Sequence, residues 1–339
     1  MALALYSPAL GYYTRGSGQF GTMPAGVKGG GGDFVTAPEL SPAFGATVAA
    51  QVADALSATA TDEVWEFGAG TGALAEQLLG TLGEKVARYT IVDLSGGLRL
   101  RQQERLAAFG DRVRWVSELP AKFSGVVVGN EVLDAMPVQL LARVGGVWHE
   151  RGVALDAAGG FAWADRPTDE RPPVEIAGEH DYLTETHAQG CAFVATLADR
   201  LERGAVLLLD YGFPEAEYYH PQRHMGTVMC HRAHQADGDP LADVGEKDIT
   251  AHVDFTGIAL AAQDAGLDVL GYTSQAHFLY NCGLLGHLDA LSPAQRGPAL
   301  HLVHEHEMGE LFKVVLLGRG APADWVPVGF AQGDRTGRL

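Results

Sequence analysis

Two stretches carry residue types that could do chemistry. GNEVLDAMP, Gly129 to Pro137, follows the apolar run GVVV and puts Asn130, Glu131 and Asp134 where a buried strand should end. Acids at the mouth of a core are costly unless they meet a cation or hydrogen-bond donors, so they suggest the floor of a pocket. The local alternative is a short helix beginning near Glu131 and stopped by Pro137, with Asn130 as its cap and both acids favouring its dipole.

The second stretch, VWEFGAGTGALAEQLL, is an apolar strand, a Gly-x-Gly-x-Gly turn and an amphipathic helix. Gly68, Gly70 and Gly72 let the chain turn sharply and let a ligand approach main-chain N–H groups at the helix start. Asp93 ends the next strand, where α/β nucleotide binders keep an acid for ribose hydroxyls. Gly68-x-Gly70-x-x-Ala73 also meets the relaxed dinucleotide fingerprint, so an NAD-dependent oxidoreductase is a rival.

Glu66 separates these readings. Two residues before the first glycine, it would face an ammonium or other cationic ligand and would sit poorly beside a pyrophosphate. No histidine stands on a core strand to relay a hydride. The chain also closes with helix, strand, insertion and strand, the pattern of a terminal antiparallel hairpin. Acid and hairpin together are features of S-adenosylmethionine-dependent methyltransferases.

The elements around these stretches alternate from Asp62 onward: strands EVWEF, ARYTIVDL, VRWV and GVVVGN, with amphipathic helices between them. That order predicts a parallel, doubly wound sheet covered on both faces. Residues 138 to 165 show short β-like runs split by Gly-Gly, an inserted antiparallel meander. A helix precedes the strand AVLLLDYG. The His-rich region from Phe213 to about Val253 reads as irregular. A helix over FTGIALAAQDAGL, the strand DVLGYTS, a helical insertion and the strand FKVVLLG follow. Near the start, Ser41 and Pro42 open a helix to about Leu56, and the Gly-rich segment before it reads as a mobile flap.

At 339 residues, 47% hydrophobic and 19% charged, the composition is that of a globular protein. A net charge of -18 without a basic cluster argues against nucleic acid and leaves a basic protein partner compatible. Cys191, Cys230 and Cys282 form no CxxC, so neither a disulfide framework nor a zinc site is expected, and a reduced cytoplasmic setting is the simple reading. No apolar run reaches the roughly 18 residues of a membrane span, and no targeting signal is found.

Six ordered segments, DFVTAPELSPAFG, EFGAGTGALAEQLL, GNEVLDAMPVQLL, LLDYG, GEKDITAHVDF and MGELFKVVLLG, resemble the MidA family of methyltransferases across nearly the whole chain. In eukaryotes that family includes a mitochondrial complex I assembly factor that methylates an arginine. The resemblance implies a Rossmann-like class I methyltransferase, a seven-stranded sheet with a closing antiparallel strand and family-specific insertions. It implies S-adenosylmethionine as cofactor and a protein arginine as acceptor, in the setting of respiratory complex assembly. Relatives begin with a further helical stretch, so the N-terminus is expected to be truncated, and the segment holding His231 and His234 is shorter than theirs. The expected layout is an N-terminal flap and helices over 1–58, a methyltransferase domain over 59–320 with insertions near 138–182, 213–253 and 276–310, and a tail over 321–339.

Methyl transfer is an in-line displacement, so the protein's main task is alignment and exclusion of water. A guanidinium acceptor would need acids to hold it in plane. The cofactor-binding candidates are Thr36, Glu66, Gly68, Gly70, Gly72, Asp93, Leu94 and Asn130. The catalytic candidates are Glu131, Asn130, Asp134 and Glu39, with Asp210 able to complete an acidic pocket beside Tyr211 and Gly212. Asp248, Thr250, His252 and Asp254 read first as a structural run, with His252 a general-base candidate. His301, His304 and His306 read as a solvated helix face, and no metal is expected. A protein that holds S-adenosylmethionine without transferring its methyl group is the rival from outside the enzymes.

Overall fold

Consecutive strand residues point to opposite faces, so a run that is apolar throughout needs cover on both sides. Val126 and Val128 pack into one core and Val127 into another, and all three are fully buried. The computed structural model describes residues 1–14, 35–93, 95–232 and 235–339. The segment expected as a flap, together with Leu94 and His234, therefore lies largely or wholly outside the described residues.

The central sheet runs through β1 (Glu63–Phe67), β2 (Arg88–Val92), β3 (Val113–Val116) and β4 (Phe123–Asn130). A meander follows, formed by β5 (Gln139–Val144), β6 (Val147–Leu155), β7 (Phe161–Pro167) and β8 (Tyr182–Thr186). The chain returns to the main sheet in β9 (Leu201–Phe213). Beyond it lie β10 (Met229–Arg232), β11 (Gln235–Asp237), β12 (Asp248–Thr250), β13 (Val253–Asp254), β14 (Asp268–Ser274) and β15 (Phe312–Arg319). The order β14-β15-β9-β4-β1-β2-β3 makes the expected seven strands, and β13 adds beside β9. β3, β2, β1, β4 and β9 are parallel, while β15 is antiparallel to both β9 and β14 and closes the sheet.

Helices α1 (Ala2–Tyr6), α2 (Ala37–Leu40), α3 (Pro42–Thr59), α4 (Ala73–Leu82) and α5 (Gly96–Arg105) belong to the N-terminal half. The second half adds α6 (Ala188–Arg200), α7 (Glu215–Tyr218), α8 (Phe255–Asp264), α9 (Gln275–Asn281), α10 (Leu284–Ala290) and α11 (Pro293–His301). Phe44, Val48 and Leu78 from α3 and α4 cover one face of the sheet, and Val194, Leu197 and Ile258 from α6 and α8 cover the other.

α3 starts where Ser41 and Pro42 predict. The Ser41 side chain accepts the Ala43 N–H at 3.2 Å, and the helix runs one turn further than expected. Ser41→Ala is expected to cost about 1 kcal/mol in urea denaturation, because a buried helix start loses its cap. An unchanged midpoint would deny the cap any energetic role.

Three expectations are corrected. No helix follows Asn130: residues 131–138 form a turn, with Glu131 in the left-handed region at φ 53. The region from Phe213 to Val253 is not irregular, since β10, β11 and β12 make a small antiparallel sheet, with Cys230 and Ile249 packed on Leu5 and Tyr12 of the N-terminal segment. Nor does His304 lie on a helix face: α11 ends at His301, whose ring pairs with Glu307 at 2.6 Å. Beyond β15 the chain packs back on the core, where Trp325 donates to Asp54 at 3.1 Å and the Gly329 N–H donates to Gln51 at 2.8 Å.

Candidate active site

In an open parallel sheet, ligands sit beyond the carboxyl ends of the strands, where the strand order reverses. Here that point lies between β1 and β4, and a pocket of about 960 Å³ opens there.

The glycine turn forms one wall. Gly68, Gly70 and Gly72 have φ values of 65, 52 and 85, which suit glycine far better than other residues. A Cβ on Gly68 would lie 2.8 Å from a Val132 methyl group, so the turn also fits closely against the segment after β4. Asp93 stands at the end of β2, where it accepts the Ser95 N–H at 2.7 Å and a Gln102 amide N–H at 2.8 Å. Gln102 also donates to the Gly70 carbonyl at 2.9 Å and accepts from Trp115, so one buried amide braces the glycine turn against the acid. Glu66 is buried on the same wall, and Tyr89 donates to it at 2.7 Å.

Thr36 and Glu39 line the pocket from the start of α2. The Glu39 carboxylate pairs with Arg105 at 3.0 Å and accepts the Thr71 hydroxyl, so it is tied to the glycine turn.

The opposite wall is GNEVLDAMP. Asn130 donates to the Glu131 carboxylate at 2.9 Å, and the Ala37 N–H supports the same acid. One oxygen of Asp210 accepts the N–H groups of Val132, Leu133 and Asp134 at 3.1, 2.9 and 3.2 Å. Asp210 thus does for a turn what a cap does for a helix, beneath the pocket and outside its lining. Asp134 accepts the Tyr211 hydroxyl, and Asp248 accepts the Tyr13 hydroxyl at 2.8 Å. His252 packs edge-on against Tyr211 and flat against Phe213, with centroid distances of 5.1 and 5.4 Å.

Two properties define the chemistry. Glu39, Glu66, Asp93, Glu131, Asp134 and Asp248 line the pocket, and no Lys or Arg does so among the described residues. Asn130, Asp134, Thr250 and His252 also line it, and their Oδ1, Oδ1, Oγ1 and Nδ1 atoms respectively are buried without a hydrogen-bond partner. Asn130 Oδ1 and Asp134 Oδ1 can accept a hydrogen bond, while the Thr250 hydroxyl and the His252 ring can accept or donate one. A ligand that brings N–H groups and positive charge would suit the acids and these acceptors.

Burial pushes the Glu66 and Glu131 carboxyls up to about 8, with Asp93 and Asp134 respectively adding repulsion. Burial raises Asp134 to about 6 against the pull of Tyr211, and lowers His252 to about 4, which keeps its imidazole neutral. Asp210 is also driven upward, by burial and by Asp134 and Glu131, while its amide donors oppose the shift.

A raised carboxyl pKa means that the folded state holds its proton more tightly than the unfolded chain. The stability these acids contribute is full below their unfolded values near pH 4 and lost as pH rises through about 6 to 8. The ligand-free Tm is therefore expected to fall between pH 5.5 and 8.5. A cationic ligand favours the ionised acids, so the Tm gain with S-adenosylmethionine should grow over the same interval. A gain independent of pH in differential scanning fluorimetry would contradict this electrostatic reading.

Comparison with known proteins decides the class. A family model described as "Putative S-adenosyl-L-methionine-dependent methyltransferase" matches residues 47–273. The chain belongs to the MidA family of these methyltransferases. A crystal structure from Burkholderia thailandensis with S-adenosyl-homocysteine bound superposes with a TM-score of 0.93 at 48% identity, covering 100% of this chain and 90% of that one. The mitochondrial protein arginine methyltransferase NDUFAF7 of Danio rerio is 28% identical, covering 92% of this chain and 81% of the relative. Its homologue in Caenorhabditis elegans is 27% identical over 84% of this chain and 72% of the relative.

The cofactor of the family is S-adenosylmethionine, and the residues present fit it. The glycine turn leaves room for close main-chain approach, Asp93 suits ribose hydroxyls, and Glu66 with the unpartnered Asn130 Oδ1 suits an amino acid end. Among the described residues no helix is long and apolar enough to cross a membrane, and no group of three or more ligating side chains could hold a metal ion.

Of the sequence candidates, the structure brings Thr36, Glu39, Glu66, Gly68, Gly70, Asp93, Asn130, Glu131, Asp134 and His252 to the pocket lining, with Gly72 at the start of α4 behind the turn. Asp254 instead caps α8 through the Gly257 N–H at 3.2 Å. Sequence reading passes over Gln102, Tyr89, Arg105, Tyr6 and Tyr13. Only Gln102 carries a local signal, a polar residue four positions after Leu98 on the buried face of α5.

Proposed function

We propose that this methyltransferase modifies the guanidinium group of an arginine borne by another protein and, by family resemblance, acts in the assembly of a respiratory complex. The observation that carries the reading is the acid-lined pocket, in which Glu131 and Asp134 meet no lining Lys or Arg among the described residues. The names of the NDUFAF7 relatives, at 24–28% identity, point the same way.

When bound, S-adenosylmethionine supplies an electrophilic methyl group carried on a sulfonium. The chain's own residues supply the rest. The glycine turn and Asp93 hold the nucleoside end, while Glu66 and Asn130 hold the amino acid end. Glu131 and Asp134 orient the guanidinium and offset its charge. Glu131, poised near 8, accepts the proton that the substituted nitrogen loses. Tyr211 donates to Asp134 and so fixes the orientation of its carboxylate.

The test is transfer of labelled methyl groups into a lysate of cells lacking this protein, followed by acid hydrolysis and amino acid analysis of labelled bands. Methylarginine formed by wild type and not by Glu131→Ala supports the proposal. Label in another amino acid would overturn the acceptor. Normal cofactor binding with no label from either protein would favour the cofactor-holding assembly protein.

A further inference from the structure

A second, more open groove of about 370 Å³ lies beside the pocket, and Tyr6, Met136 and Phe193 line both. The rest of the groove is Pro137 with Gln189, Ala192 and Thr196 of α6. Positions 189, 192, 193 and 196 recur at i, i+3, i+4 and i+7, so they form one stripe of that helix. Gln189, Ala192 and Thr196 are exposed.

The shared walls are held in place. The Tyr6 hydroxyl donates to the Ala135 carbonyl at 2.8 Å, and its ring stacks on Tyr13 at 5.5 Å. The Phe193 ring meets Phe67 edge-on at 5.0 Å. Among the described residues no charged side chain lines the groove, although the chain has a net charge of -18 and the adjoining pocket is lined with acids.

We infer that this groove seats the main chain flanking the acceptor arginine of a protein substrate. The inference rests on the proposed arginine acceptor. Acids belong where the guanidinium goes, and an uncharged apolar strip belongs where a neutral, extended peptide passes. The groove and the acceptor pocket share Tyr6 and Phe193, aromatic side chains that suit the stem and head of an arginine. A second copy is the poorer occupant. It would bring the same negative charge, and a groove of this size falls far short of the roughly 20–30 residues a side of a stable interface.

The test compares two acceptors on wild type, Ala192→Trp and Ala192→Ser. One is N-acetylarginine methylamide, and the other is a pool of peptides with a central arginine and degenerate flanks. Ala192 is exposed on a helix surface, so the bulky variant is expected to fold, and its S-adenosylhomocysteine affinity checks the cofactor side. Ala192→Trp is expected to raise the KM of the pool by about tenfold or more, leaving its kcat and the short acceptor within about twofold, while Ala192→Ser behaves as wild type. Equal effects on both acceptors, or none on either, would overturn the groove while the arginine reading stands. Failure of wild type to methylate either acceptor would count against the arginine reading and remove the groove's basis with it. A lower assembly mass for Ala192→Trp in light scattering, with the pool's KM unchanged, would assign the groove to a second copy.

Discussion

Glu131→Gln lowers kcat by about 100- to 10,000-fold while S-adenosylhomocysteine binds within about threefold of wild type. The amide keeps the shape of the side chain and its acceptor toward Asn130, so the turn survives. It loses the charge that offsets a guanidinium and the capacity to take its proton. In wild type the ionised carboxylate is the working form, so kcat should rise with pH toward a plateau above about 8. Repulsion from Asp134 adds to burial in raising Glu131, so ionisation of Asp134 shifts this rise to higher pH. The variant should lack that limb. Single-turnover rates together with calorimetric binding measure both, and a variant retaining near wild-type turnover would remove Glu131 from the chemistry.

Asp210→Ala lowers stability by about 3 kcal/mol or more, the largest loss expected from one side chain near the site. Three N–H groups after Asn130 would lose their common acceptor, in a segment where Leu133 and Asp134 are buried and water cannot replace it. Relief of repulsion between Asp210 and its acidic neighbours offsets part of the loss, but each orphaned amide costs about 1–3 kcal/mol. Asp210→Asn keeps one acceptor oxygen and should retain most of the stability. Chemical denaturation of the two variants decides, and an Asp210→Ala protein as stable as Asp210→Asn would contradict the capping role.

That capping also explains where sequence reading stops. A buried strand followed by Asn130, Glu131 and Asp134 reads locally as a capped helix. The acceptor for these amides comes instead from a residue 78 positions away, and once Asp210 holds them the chain can turn with Glu131 at a positive φ. Nothing in the nine residues announces a partner on another strand. The run GVVV, by contrast, states its own fate, because Val126, Val127 and Val128 leave a strand no face to expose. The glycine turn was similarly plain, its spacing tied to main-chain conformation.

The His-rich region failed for the reason the turn did. β10 and β12 are short, and they are stabilised by Leu5 and Tyr12 from the far end of the chain. Glu39 was legible as an acid near the cofactor side, whereas its pairing with Arg105 joins residues 66 positions apart. The site was therefore readable as a set of residues on one sheet edge, and its hydrogen-bond partners were not.

The central claim is that the pocket reads a cationic, donor-rich group through its acids and unpartnered acceptors. Equilibrium binding to the S-adenosylhomocysteine-loaded protein, with two peptides that differ only in carrying arginine or its neutral isostere citrulline, tests it most directly. The expected result is at least about tenfold tighter binding of the arginine peptide, with the preference growing between pH 6 and 8.5 as the acids ionise. Equal affinity for the two peptides across that range would contradict the account.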